Sequence, residues 1–323
     1  MMKLNELVAT ESELIIDQLF TDSRVRVENG LFFCVKGIVN DGHNFCDSAI
    51  ASGAVAIVHS DDLKTYQDNI TYIKVEDVDS ALNIAASKFY DNPSSKLSIF
   101  AVTGTNGKTS VASIITDILN HKENTGYIGT INIAYNNKTI AAKYTTPEVI
   151  DFHSIMADMV NENVTALATE VSSHSLIQRR VDSLEYDYAI FTNLSHEHLD
   201  YHGTMENYYF AKAKLFENLS DKQWAIINID DPSGERLMET DIINKVSYAI
   251  DQPADYRAID AEYSIDSTKF TLLYKEEAYE FETNLVAKFN LSNLLAAIAA
   301  LHIHGLSFEE LIKYVKDIDQ ISG

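Results

Sequence analysis

The sequence predicts an α/β protein in two parts: a small N-terminal α/β domain over residues 1–94 and a P-loop-type central domain over residues 95–323. The central sheet is expected to be mostly parallel with a small antiparallel portion. Three observations predict this. Short apolar runs alternate with stretches of helical period along most of the chain, the pattern of a parallel sheet covered by helices. A cluster of breakers, Asp91-Asn92-Pro93-Ser94-Ser95, divides that pattern. Directly after it, a strand-like run enters a glycine-bearing turn that opens a helix.

The elements follow in order. Leu31-Phe32-Phe33-Cys34-Val35 and Ala54-Val55-Ala56-Ile57-Val58 read as buried strands, with a helix from Phe45 to Ser52 between them. Tyr72-Ile73-Lys74-Val75 reads as another strand. Asp79 to Tyr90 has the spacing of an amphipathic helix, with Asp79 or Ser80 as its N-cap. Beyond the breakers, Leu97 to Val102 is a strand, Thr103 to Ser110 a turn, and Val111 to Leu119 a helix. Thr146-Pro147-Glu148 suits a helix start, with Thr as N-cap and Pro in the first turn. Ala166–Val171, Tyr188–Thr192 and Trp224–Ile229 are strands, and Met205–Phe216 is a helix. From Glu262 to Thr283 the period falls to two, through Phe270, Leu272 and Tyr274, which marks the antiparallel portion. Two helices close the chain. Ser292–His304 stops at Gly305, and Ser307-Phe308-Glu309-Glu310 is a capping box for the last.

Composition narrows the function. Apolar residues make up 46% and charged residues 23%, ordinary values for a globular chain. Lys plus Arg number 25 against 48 Asp plus Glu, a net charge of −23. So acidic a chain lacks the basic footprint that nucleic acid or an anionic membrane surface requires. The N-terminus has no apolar core of a signal peptide, and the most apolar stretch, Leu291–Leu301, is too short to span a bilayer. Cys34 and Cys46 permit one disulfide, but two reduced thiols in a cytoplasmic chain are the expectation.

The strongest motif is Thr103-Gly104-Thr105-Asn106-Gly107-Lys108-Thr109-Ser110. Glycines let backbone N–H groups converge on phosphate, and the following helix adds its positive end. Lys108 would reach the terminal phosphates and Thr109 would ligate Mg²⁺. The loop is shortened, with Val102 where the common motif has its first glycine. The bland alternative is a tight turn between strand and helix. Glu170 and His198 fall after strands of the same pattern, where open α/β sheets bind ligands. Together they could complete a shell for Mg²⁺ or Mn²⁺. Taken singly, Glu170 reads as an exposed strand-end carboxylate, His198 as a solvated loop residue and Lys212 as a solvated helix lysine.

These segments, with Tyr144-Thr-Thr-Pro-Glu148, Glu170-Val-Ser-Ser-His174, Thr192-Asn-Leu-Ser195, His198-Leu-Asp200 and Tyr209-Phe-Ala-Lys212, stand in the order of the Mur ligases. Thr21-Asp-Ser-Arg24, Leu31-Phe32 and Phe289-Asn-Leu-Ser-Asn293 extend the likeness, so the chain resembles that family, in its tripeptide-synthetase branch, over essentially its whole length. The resemblance implies a UDP-sugar-binding first domain, a central ATPase domain and ATP-driven amide formation in peptidoglycan precursor synthesis. The third amino acid, L-lysine or meso-diaminopimelate, would be joined to UDP-MurNAc-L-Ala-D-Glu through an acyl phosphate.

It also implies roles. Gly104, Thr105, Asn106, Gly107, Lys108, Thr109 and Ser110 would bind the ATP phosphates, and Asn290 and Asn293 would lie near adenine. Glu170, His198, Thr109 and Lys212 would hold two Mg²⁺ ions, Lys212 as a carbamate, and with Lys108 would form the catalytic set. Thr145, Thr146, Ser172, Gln178 and Arg180 would hold the muramoyl-dipeptide and Ser23 the UDP portion. The sequence departs from the family at His196-Glu197, which stands for Arg-Asp, and at Ala287, which stands for Gly; Tyr144 and Ile38-Val39-Asn40 are variable positions given no role. The family's C-terminal amino-acid-binding domain would begin near Gly323 and is absent here. A monomer acting on small molecules is expected. A naturally short, non-catalytic Mur-like binding protein and a simple P-loop kinase or NTPase are the alternatives.

Overall fold

The structure, a computed structural model, describes residues 1–37 and 40–318. Ile38, Val39 and the chain from Asp319 lie outside the described residues. The chain forms two compact units. The first comprises Met1–Ser94, Glu148–Asp158 and Arg179–Leu184; the second comprises Ser95–Pro147, Met159–Gln178 and the chain from Glu185.

In the first unit, β1 (Met2–Lys3) pairs antiparallel with β2 (Ile15–Ile16) around α1 (Leu4–Leu7). Four parallel strands follow in sheet order: β3 (Gln18–Phe20), β4 (Gly30–Phe33), β5 (Ala54–His59) and β6 (Thr71–Lys74), with α2 (Cys46–Ala51) and α3 (Val78–Phe89) as helices. The two-residue period of a strand sorts the side chains. Leu31, Phe33, Ala56 and Val58 pack with Leu4, Leu82, Ala85 and Ala86, whereas Phe32, Cys34 and Ile57 pack with Cys46 and Ala49. Both faces are covered, so the strands read as continuous apolar runs. Cys34 and Cys46 are free buried thiols with sulfurs 3.5 Å apart.

The second unit carries β7 (Ser98–Thr103), α4 (Lys108–Leu119), β8 (Thr125–Ile128), β9 (Asn132–Tyr135), β10 (Lys138–Ala141) and α5 (Val149–Asn161), whose residues to Asp158 count with the first unit. Then come β11 (Ala166–Glu170), α6 (Ser173–Ile177), β12 (Tyr188–Phe191), α7 (Leu199–His202), α8 (Met205–Ala213), β13 (Trp224–Asn228), α9 (Pro232–Met238) and β14 (Lys245–Ala249). Last are β15 (Tyr256–Tyr263), β16 (Thr268–Tyr274), β17 (Glu277–Thr283), α10 (Lys288–His304) and α11 (Phe308–Val315). Eleven strands form one sheet in the order β10-β9-β8-β11-β7-β12-β13-β14-β15-β16-β17. It is parallel from β8 to β15 and antiparallel at both edges. β7 lies between β11 and β12, so the chain leaves it in both directions, and the crevice at its carboxyl end is where such sheets take ligands. α4 and the nearly all-apolar α10 bury Val111, Ile115, Leu294 and Ile298 in the main core.

Several local expectations shift. α3 is capped by Asp77, which accepts from the Ser80 N–H at 3.0 Å, rather than by Asp79 or Ser80. Thr146 does not cap α5; the Phe152 N–H donates to the Glu148 carbonyl, and the Thr146 hydroxyl is used elsewhere. α10 starts at Lys288, four residues before Ser292, because Asn290 and Leu291 already donate to the Ala287 carbonyl. The antiparallel portion begins earlier, at Tyr256, and a second hairpin, β9–β10, closes the other edge.

Candidate active site

The turn after β7 is built from two glycines. Gly104 has φ +154°, and a Cβ there would run into Thr192 Oγ1; Gly107 has φ +85°, and a Cβ would run into Asn293 Oδ1. Other residues therefore meet both a steric and a conformational penalty at these two positions. The loop after β12 pins the turn. The Thr105 N–H donates to the Asn193 carbonyl (2.8 Å), the Asn106 N–H to Asn193 Oδ1 (2.9 Å) and Thr192 Oγ1 to the Asn106 carbonyl (2.6 Å). Thr105 Oγ1 accepts from the Ser195 N–H at 3.0 Å. α4 follows directly, with Lys108, Thr109 and Ser110 in its first turn and no side chain among the described residues capping its N-terminus.

Two lysines converge there. Lys108 Nζ donates to the carbonyls of Gly104 (3.0 Å) and Thr105 (2.8 Å), and Lys212 Nζ donates to the same Gly104 oxygen at 2.7 Å. Lys212 is 2% exposed. Burial, and then the neighbouring Lys108, hold its amine well below the ordinary lysine range. Burial also lowers Lys108, against the opposing pull of Glu170 and Glu197. Lys212 is thus a buried group of the glycine turn, not the solvated helix lysine that its position alone suggests.

Glu170 is fully buried, not an exposed strand end. Its Oε1 accepts from Thr109 Oγ1 (2.9 Å), the Tyr127 hydroxyl (2.7 Å) and the Thr130 N–H (2.8 Å), and its Oε2 accepts from Thr130 Oγ1 (3.1 Å). A hydroxyl and a carboxylate side by side at this glycine turn are hard oxygen donors of the kind Mg²⁺ takes, so this pair fits the ion. His198 follows β12. It caps α7 at φ +54°, its side chain is 44% exposed, and its ring lies 5.0 Å from His174 and 6.2 Å from Tyr208. Tyr208 is the link back to the turn. Its hydroxyl is 3.2 Å from Thr105 Oγ1, its ring lies 4.6 Å beneath Lys212 Nζ and stacks on His202 at 4.8 Å. Burial, then His174, Lys212 and His198, push His202 down to about 4.

The other expected residues divide. Asn293, nearly buried, meets Gly107, whereas Asn290 Nδ2 donates to the Val286 carbonyl at 2.9 Å. Thr145 Oγ1 lies 3.1 Å from Thr130 Oγ1. Thr146 is buried and donates to the Glu170 carbonyl at 2.9 Å, while accepting from the Ser172 N–H at 3.1 Å. Ser172 caps α6, and Gln178 Nε2 reaches the Tyr201 hydroxyl at 3.4 Å. In the first unit, Arg180 pairs with Glu148 at 2.9 Å and the Ser23 carbonyl accepts from Ser52 Oγ at 2.7 Å. Sequence reasoning assigned no role to Tyr127, Gly129, Thr130, Thr192, Asn193 or Tyr208. The strand-like run Thr125–Ile128 ending in Gly129 was the available signal for the first three.

Residues 102–301, more than half of the chain, match the family model of the Mur ligase middle domain. The chain belongs to the Mur ligase family. Residues 16–90 match a second model, the Mur ligase family catalytic domain. Among curated relatives, the UDP-N-acetylmuramoyl-L-alanyl-D-glutamate–2,6-diaminopimelate ligase of Halalkalibacterium halodurans is 38% identical, covering 95% of this chain and 64% of its own length. Ligase 1 of that name from Clostridium acetobutylicum is also 38% identical, covering 98% and 65%. UDP-N-acetylmuramyl-tripeptide synthetase 2 of Oceanobacillus iheyensis is 38% identical, covering 93% and 63%. The chain thus spans somewhat less than two thirds of these Mur ligases. A solved 2,6-diaminopimelate ligase superposes with TM-score 0.86 at 26% identity, covering 98% of this chain and 66% of that one. MurF from Thermotoga maritima, solved with ADP, shares the fold at 20% identity and TM-score 0.65, covering 97% and 68%.

Proposed function

We propose that this chain supplies the ATP and UDP-substrate sites of an ATP-dependent ligase of peptidoglycan precursor synthesis, which adds the third amino acid to UDP-MurNAc-L-Ala-D-Glu. The observation that carries the reading is the convergence of Lys108, Lys212 and the Thr109–Glu170 pair on one glycine turn at the carboxyl end of β7. Relatives 36–38% identical to the chain bear 2,6-diaminopimelate ligase names, which favours meso-diaminopimelate over L-lysine as the added residue. In this reading residues 1–94 bind the UDP-sugar through Ser23, and residues 95–323 bind ATP. Arg180 grips a substrate anion, and Thr145, Ser172 and Gln178 contact the dipeptide. The ligase works as a monomer in the cytoplasm on small molecules.

Chemistry follows from charge. A substrate carboxylate must approach the γ-phosphate of ATP, and two anions meet only if their charge is neutralised locally. Lys108 turns its ammonium from the Gly104 and Thr105 carbonyls to the phosphates, and N–H groups at the α4 N-terminus add partial positive charge. Thr109 and Glu170 would hold Mg²⁺, which when bound supplies Lewis-acid neutralisation of phosphoryl oxygens. The acyl phosphate so formed is attacked by an amine, and phosphate leaves. Lys212 would carry a carbamate. Burial and Lys108 favour its neutral amine, which can add CO₂ and become an anionic oxygen ligand. His198 would supply a further ligand. The net charge of −23 does not forbid anion binding, since exposed charges are screened beyond about 8–10 Å.

A thermal-shift titration tests the reading. Mg·ATP and UDP-MurNAc-L-Ala-D-Glu should each stabilise the chain, by about 2.7 kcal/mol at a hundred-fold excess over Kd. K108A should lose the ATP shift and keep the UDP-substrate shift. Failure of both ligands to stabilise the parent overturns the proposal, and phosphate release from ATP alone would favour a simple nucleotidase.

A further inference from the structure

Glu170 is bonded asymmetrically. A carboxylate oxygen has two in-plane lone pairs, and three donors crowd Oε1: Thr109 Oγ1, the Tyr127 hydroxyl and the Thr130 N–H. Oε2 meets a single donor among the described residues, Thr130 Oγ1. Tyr127 reaches Glu170 because β8 and β11 run parallel with Tyr127 opposite Ala168, which puts Tyr127 and Glu170 on one face, diagonally two residues apart. The cradle is closed by Gly129, where any Cβ would strike both Glu170 Oε1 and the Tyr127 hydroxyl. The Tyr127 ring is buried.

We propose that Tyr127 is a positioning residue: with the Thr130 N–H and Thr109 it occupies Oε1 of Glu170 and leaves Oε2 as the oxygen offered to a divalent cation. This rests on the reading of Glu170 as a metal ligand and adds which oxygen is offered and what aims it. A ligating carboxylate left without its hydrogen-bond partner swings, and loss of such a partner lowers metal affinity by roughly 10–100-fold. Its role runs through Glu170, so removing the Tyr127 hydroxyl should separate metal affinity from nucleotide affinity.

The test uses the chain with ATP, reading Mn²⁺ affinity by electron paramagnetic resonance and ATP affinity in EDTA by calorimetry. Y127F keeps the buried ring and removes one donor. It should weaken Mn²⁺ roughly ten-fold and leave metal-free ATP affinity within about two-fold of the parent. T130V removes the one donor on Oε2, keeps the N–H on Oε1, and should bind Mn²⁺ as tightly as the parent or more tightly. That comparison decides the matter even if Y127F fails to fold, since a ten-fold loss in T130V overturns the proposal. An unchanged Mn²⁺ affinity in Y127F, with E170Q losing the ion, overturns the positioning role alone. Retention of Mn²⁺ by E170Q removes Glu170 from the metal site, and the proposal falls with it.

Discussion

Ala287, the residue before α10, stands at φ +78°, ψ 149°, backbone that glycine adopts freely and alanine does not. Strain of this kind costs about 1–3 kcal/mol, so A287G should raise the urea midpoint by the equivalent of about 1 kcal/mol with an unchanged slope; a lower midpoint would contradict the strain. His153 is fully buried, and its Nε2 lies 2.8 Å from Ser183 Oγ, whose own proton goes to Asn83 Oδ1 at 2.9 Å. The ring is therefore an Nε2–H donor with an unpartnered Nδ1, and burial pushes its pKa down to about 4. A base depressed on folding contributes stability that is complete above its unfolded pKa of about 6.5 and is lost as pH falls toward the folded value. Stability should fall by on the order of 3 kcal/mol between pH 6.5 and pH 4 through this group. H153Q, which takes up no proton there, should show a flatter profile in urea melts, and parallel profiles would refute the assignment. For Lys212, K212A should weaken Mn²⁺ binding in the presence of ATP by roughly 10–100-fold, with partial recovery on adding a short-chain carboxylate; no recovery would contradict a carbamate there.

At the scale of elements, the β7–turn–α4 unit was legible because its signal is local: an apolar run, two glycines, Lys108-Thr109, then helical period. Its clamp was not. Thr192 and Asn193 hold the turn across nearly ninety positions of sequence, through hydrogen bonds that exist only once β12 lies beside β7. Tyr127 and Tyr208 escaped for the same reason, whereas Glu170 and His198 were singled out by their joint place after parallel strands, and Lys212 by family resemblance alone. Strands β3, β10 and β14 left little mark because they are short or polar; β10 is exposed along its whole length. The turn yields its own prediction. G107A should cost about 1–3 kcal/mol of stability and remove ATP-dependent stabilisation. G107A/N293A, relieved of the contact with Asn293 Oδ1, should recover packing stability but retain the cost of φ +85°. Full recovery would show that sterics alone select glycine there.

For the whole molecule, the α/β class, the mostly parallel sheet and the antiparallel portion were readable from periodicity. The eleven-strand order was not, because periodicity identifies strands and says nothing of their neighbours. No helix among the described residues is long and apolar enough to cross a membrane. The net charge of −23 has a kinetic consequence. An acidic surface repels ATP at long range, so salt should speed association, by about two-fold or more between low and physiological ionic strength; stopped-flow rates that fall with salt would contradict this. On the proposed function, the nucleotide triphosphate and its metal sit on the Gly104–Thr109 turn. Anomalous diffraction from crystals grown with a non-hydrolysable ATP analogue and Mn²⁺ tests this. A manganese peak should stand against Thr109 and Glu170, with Lys108 on the phosphates. A nucleotide bound away from that turn, or manganese coordinated elsewhere, would contradict it.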